Sequence, residues 1–149
     1  MYHAIVRRRV RTVFGHLSAG EWEPILAGLT DDVHHVFPGD NALGGERHSR
    51  EAVARWFDRL GRLFPVHEFT VHRINSRGWP WDTWVAVEWS ARLGPHQGEP
   101  YSNDGAHWIH VRNGKVDAFH AYLDTERVSA ACKQMAEAGV EEAAAPPIA

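Results

Sequence analysis

The sequence predicts an α+β domain whose helices cover one face of an antiparallel sheet. Apolar residues recur at helical spacing through the N-terminal third of the chain. From Val66 onward the period switches to that of strands. Asn113-Gly114 sits between two strand-like runs and asks for a two-residue type I′ hairpin turn.

Each element follows from its own pattern. Val6, Val10, Val13, Phe14 and Leu17 make residues 5–17 an amphipathic helix with Arg7, Arg8 and Arg11 on its polar face, closed by Gly20. A short second helix carries Trp22, Ile25, Leu26 and Leu29 on one side, with Pro24 in its first turn. Val33 to Phe37 reads as a strand that stops at Pro38-Gly39, and a glycine-bearing loop runs on to His48. Ser49 caps a third helix whose stripe is Val53, Trp56, Phe57, Leu60 and Phe64, ended by Pro65. Strands are expected at 66–77, 82–92, 101–112 and 115–123, with a turn at Trp79-Pro80-Trp81-Asp82. A helix at 125–138 closes the domain, which spans 1–138, and residues 139–149 read as a flexible tail.

Composition narrows the function. The chain has 149 residues, 16 Lys+Arg and 19 Asp+Glu, a net charge of −3, which does not suit a nucleic-acid surface. No apolar run is long enough to span a membrane. The start, MYHAIVRRRVRTVF, lacks the apolar core of a secretory signal, so the expected location is cytoplasmic. A single cysteine, Cys132, excludes an intramolecular disulfide framework and a cysteine-based zinc site. No nucleophile elbow and no glycine-rich phosphate loop appears. The aromatic-rich composition, with 7 Trp and 11 His, fits a pocket for a small apolar or aromatic metabolite.

Counting outward from the hairpin turn predicts which side chains share a face. One face receives Val111/Val116, Ile109/Ala118, His107/His120, Gly105/Tyr122 and Asn103/Asp124. The other receives His110/Asp117, Trp108/Phe119, Ala106/Ala121 and Asp104/Leu123. Apolar residues on both faces call for two coverings, the helices on one side and a second copy of the chain on the other. The expected homodimer face holds Trp89, Trp108, Phe119 and Leu123.

Asp124 then heads the chemical candidates as a general base in an aromatic pocket, or as the cap of the last helix. His107 and His120 are its acid/base partners, or satisfied core histidines. Asn103 and Tyr122 are oxygen-binding groups, and Glu88 is an unusual carboxylate in the apolar run of Trp84 to Trp89. Only His107, His120 and Glu88 could converge on a metal, and no metal or cofactor is expected.

Several segments resemble the SnoaL-like branch of the NTF2-like superfamily, which includes ketosteroid isomerase. They are Leu17-Ser18-Ala19-Gly20, Leu29-Thr30-Asp31-Asp32-Val33, Phe37-Pro38-Gly39, Leu43-Gly44-Gly45, Ser49-Arg50-Glu51-Ala52-Val53, Asn113-Gly114-Lys115-Val116 and Ala121-Tyr122-Leu123-Asp124. The resemblance covers nearly all of residues 5–136. It implies a cone-shaped sheet curled around a pocket closed by helices, here lined by Trp84, Trp56, Phe37 and His35. In ketosteroid isomerases the general base is an Asp just before the Pro that ends the first strand. Phe37 stands there in this chain, and the place of the family's oxyanion Tyr falls near Val13 or Phe14. The polyketide-cyclase plan fits better: cofactor-independent proton transfer next to a carbonyl, with Asp124, His107 and His120 catalytic. The alternatives are a non-catalytic binder of an apolar metabolite, and a hydrolase or dehydratase using a carboxylate-activated water at Asp124 or Glu88.

Overall fold

The computed structural model describes residues 1–95 and 98–149. Helix α1 (Tyr2–Ala19) buries Val6, Val10 and Phe14, one residue per turn, and ends at Gly20 in the left-handed conformation that a C-cap glycine supplies. Helix α2 (Trp22–Ala27) leads into strand β1 (Leu29–Phe37), and a short strand β2 (Gly45–Arg47) pairs antiparallel with it. Helix α3 (Arg50–Leu63) starts where the Ser49 hydroxyl accepts a hydrogen bond from the Ala52 amide at 3.1 Å. Four long strands follow: β3 (Val66–Trp79), β4 (Asp82–Gly94), β5 (Tyr101–Arg112) and β6 (Lys115–Leu123). Helix α4 (Thr125–Glu137) and a 3₁₀ turn (Glu141–Ala144) complete the chain.

The six strands form one sheet in the order β2-β1-β6-β5-β4-β3, antiparallel except where β1 runs parallel to β6. The expected α+β class holds, with long strands close to the expected ranges. The first strand begins earlier, at Leu29, which pairs with Val116 of β6. Gly45 to Arg47, read as loop, is a strand because it finds an edge of β1 to pair with. The core lies between the concave side of the sheet and the helices. Along β4, Val85, Val87, Trp89, Ala91 and Leu93 alternate inward.

Asn113 and Gly114 adopt positive φ of 50° and 84°, the turn that the sequence demanded. The register beyond it differs from the expected one. Val111 pairs with Val116, but His110 pairs with Ala118, so Asp117 is an extra residue in a β-bulge. A slip of one residue moves every later β6 side chain to the other face. His107 therefore lies opposite Ala121, and His120 opposite Trp108. His110 anchors the bulge. Its Nδ1 lies 2.5 Å from Asp117 Oδ1 and its Nε2 lies 2.6 Å from Asp82 Oδ1. Burial works against the charged ring, but the two carboxylates outweigh it and raise its pKa.

Two further expectations change. Trp89 is buried in the core, and Phe119 and Leu123 turn into the concave side, so of the named dimer face only Trp108 remains outside. The C-terminal segment, expected to be flexible, lies along α3. Arg62 Nε and Nη2 donate to the Glu142 carboxylate at 2.8 and 2.6 Å, Arg59 Nη1 donates to the Pro146 carbonyl at 2.8 Å, and Ala143 is buried. Arginines on the outer side of α3 hold it there, a feature invisible to a reading of the tail's own composition.

Candidate functional site

The concave side of the sheet encloses a cavity of about 170 Å³ between the four α-helices and strands β1, β3, β4, β5 and β6. One water needs about 10–15 Å³ of such space, so the cavity takes on the order of a dozen non-hydrogen atoms. Its walls are Phe14, Leu17, Trp56, Phe57, Leu60, Phe69, Trp89, Ile109 and Phe119, among others. Val13 and Pro24 line it while also reaching solvent, which puts the mouth between α1 and α2. No carboxylate and no Lys or Arg side chain lines it among the described residues. Its polar groups are two imidazoles, His35 and His107, and the Tyr101 hydroxyl.

Both imidazoles are fixed by their neighbours. Trp89 Nε1–H donates to His107 Nδ1 at 2.8 Å, and Arg47 Nε–H donates to His35 Nδ1 at 2.8 Å. Indole and guanidinium nitrogens donate only, so each Nδ1 must be an acceptor and the proton of each neutral ring sits on Nε2. The side-chain hydrogen bonds these two rings make among the described residues are at Nδ1, and both rings line the cavity. Burial lowers the His107 pKa to about 4. Burial, and then the Arg47 charge, hold His35 well below its ordinary value. Near neutral pH the cavity therefore presents two uncharged donors. The Phe119 ring lies beside both, with centroids 4.2 Å from His35 and 6.3 Å from His107.

Arg47 is fully buried with no carboxylate partner. Its guanidinium instead reaches His35 Nδ1 and three carbonyls, those of Gly44 at 3.0 Å, Gly45 at 2.7 Å and Ile148 at 2.9 Å. The charge behind His35 strengthens its Nε2–H as a hydrogen-bond donor. Trp89 is held in turn by packing over Gly105, where a Cβ would meet the indole at 2.7 Å, so only glycine fits there. At the far end Tyr101 Oη accepts from Asn103 Nδ2 at 2.6 Å. Burial pushes its pKa to about 12, so it remains a phenol.

The sequence candidates separate cleanly. His35, His107, Trp56 and Phe37 line the cavity. Asp124 does not. It is exposed and caps α4, its Oδ1 accepting from the Glu126 and Arg127 amides at 3.1 and 3.4 Å. His120 and Tyr122 lie on the convex face, with rings stacked at 4.2 Å. Glu88 is also outside, paired with Arg73 at 2.7 Å, and Trp84 packs there against His110. His107, His120 and Glu88 thus do not converge. Asn103 is buried and supports Tyr101 and the Asp124 carbonyl rather than facing the cavity. The bulge at Asp117 accounts for His120 and Tyr122, since the unbroken count turned them inward. Arg47, Trp89 and Tyr101 were missed. A Trp opposite a Gly across β4 and β5 was the available signal for Trp89, and pairing Gly45–Arg47 with β1 would have put Arg47 beside His35.

The model of the SnoaL-like domain family matches residues 10–119. No curated protein matches the chain in sequence. Among solved structures, an NTF2-like protein of Anabaena variabilis is 22% identical, with 81% of this chain and 87% of that one covered and a TM-score of 0.68. A protein provisionally named as a scytalone dehydratase, from Novosphingobium aromaticivorans, is 14% identical over 83% and 86% of the two chains, with a TM-score of 0.70. TerC, co-crystallised with polyporic acid, is 19% identical over 76% and 86%, with a TM-score of 0.64. Likeness at these identities concerns the fold.

Proposed function

The chain belongs to the SnoaL-like domain family, and we propose that it takes a flat, largely apolar metabolite into the cavity and polarises its carbonyl oxygen. The observation that carries this reading is the pair of neutral imidazoles, His35 and His107, that line an apolar space with Nδ1 occupied and the proton left on Nε2. In low dielectric such donors stabilise negative charge growing on a carbonyl oxygen, as in enolisation. Neither ring has a free lone pair at Nε2 to take a proton, and no carboxylate lines the walls among the described residues. The protein's part is therefore binding and electrophilic polarisation rather than carboxylate base catalysis. The relative crystallised with polyporic acid and the one provisionally called a scytalone dehydratase support a flat, oxygenated ligand.

A second copy of the chain covers the tryptophan-bearing part of the convex face in this reading and leaves its β1–β2 rim open. Trp84, Trp108 and Tyr122 are exposed there, around a shallow depression shared with His34, Val36 and Ala118.

The ligand reading is tested with 1-tetralone and its hydrocarbon counterpart tetralin, by calorimetry on the full chain. One neutral hydrogen bond contributes about 0.5–1.5 kcal/mol, so the ketone should bind roughly two- to tenfold tighter. His107→Phe should erase most of that preference, and His107→Gln, which keeps an N–H, should retain part of it. Equal affinities, or a preference untouched in His107→Phe, would refute the assignment.

A further inference from the structure

We infer that His34, Glu46 and His48, at the rim of the convex face, form a binding site for one divalent transition-metal ion of the zinc class. The inference is independent of the cavity and its ligand.

Strand alternation assembles the group. His35 and Arg47 pair across β1 and β2 and point inward, so His34 on one strand and Glu46 and His48 on the other point outward. Continuing the ladder by one residue brings His48 opposite His34. The donor atoms already converge. His34 Nε2 lies 2.8 Å and His48 Nε2 lies 3.7 Å from the same Glu46 Oε2, and all three lie within 4.8 Å of one another. The two imidazoles stack at 4.7 Å, and both Nε2 atoms approach the same Glu46 oxygen.

A zinc ion with bonds of about 2.0–2.1 Å needs donor atoms roughly 3.4 Å apart in a tetrahedron. These atoms are near that spacing, and their exposed side chains are free to adjust. Two imidazoles and one carboxylate suit zinc or its transition-metal neighbours, and water would complete the sphere. Magnesium and calcium prefer oxygen ligands alone. The backbone beneath is firmly held, because Arg47, between Glu46 and His48, is tied inward to His35 and three carbonyls. An ordinary surface ion pair would use one histidine with the carboxylate. Here a second imidazole, His48, one residue past β2, also comes within 3.7 Å of the oxygen that His34 contacts.

The test is calorimetric titration of tag-free full chain with zinc chloride, with cobalt(II) absorption as a second readout of geometry. The expected result is one ion per chain and the bands of tetrahedral cobalt. Loss of outer-shell support alone costs about 10–100-fold in metal affinity, so His34→Ala, His48→Ala and Glu46→Gln should each weaken binding at least about tenfold. His72→Ala, on β3 at the far edge of the sheet from β2, should bind like the parent chain. Circular dichroism should be unchanged in all four, since every altered side chain is exposed. No saturable binding at one equivalent, binding that survives the three site variants, or equal binding of magnesium would overturn the inference.

Discussion

Replacing Arg47 by Met tests whether a buried cation without a carboxylate organises this site. Met keeps much of the length and removes every donor. Four acceptors are orphaned: His35 Nδ1 and the carbonyls of Gly44, Gly45 and Ile148. Hydrogen bonds from a charged group contribute about 1.5 kcal/mol each at the low end of their range, so roughly 6 kcal/mol is lost. Part is recovered, because burial holds the Arg47 pKa down to about 10 and the charge is about 3 kcal/mol less favourable there than in water. The net expectation is a destabilisation of about 3 kcal/mol. With a urea slope of about 2 kcal/mol/M, the unfolding midpoint falls by roughly 1.5 M. Arg47→Lys should fare no better, since it keeps the charge but not the fork that reaches four acceptors. The substitution also frees His35 Nδ1 to carry the proton and makes Nε2 an acceptor, so the ketone preference over the hydrocarbon should shrink. A midpoint within about 0.3 M of the parent in Arg47→Met, or full stability in Arg47→Lys, would refute this account.

His107 should remain neutral, with its proton on Nε2, down to about pH 4, as read by nitrogen-15 chemical shifts. The unfolded chain takes up that proton from about pH 6.5 downward, so stability should fall as pH drops from about 6.5 toward 4, and His107→Gln should flatten the fall. Trp108, 47% exposed on the convex face, should be a dimer contact. Sedimentation should find the parent chain dimeric and Trp108→Glu monomeric with unchanged secondary structure, and a monomeric parent would remove the proposed interface.

The α+β class, the long strands, the caps at Ser49 and Asp124 and the positive-φ turn at Asn113-Gly114 were legible in the sequence, because each depends on a few neighbouring residues. The aromatic lining was partly legible for the same reason: Trp56 and Phe37 sit at inward positions of their own elements. Which titratable groups meet in the cavity was decided only by tertiary structure. Asp117 adds one residue to β6, and since strand side chains alternate with period two, that single insertion sends His120 and Tyr122 outward. What makes the insertion favourable is the contact of Asp117 with His110, which also reaches Asp82 at the start of β4. Arg47 joins His35 only because a three-residue strand finds the edge of β1, and Trp89 joins His107 only across a pair of strands. Local pattern sets period and turns. The register between strands is set by the sum of contacts across them, and here it determines which histidines face a ligand and which face solvent.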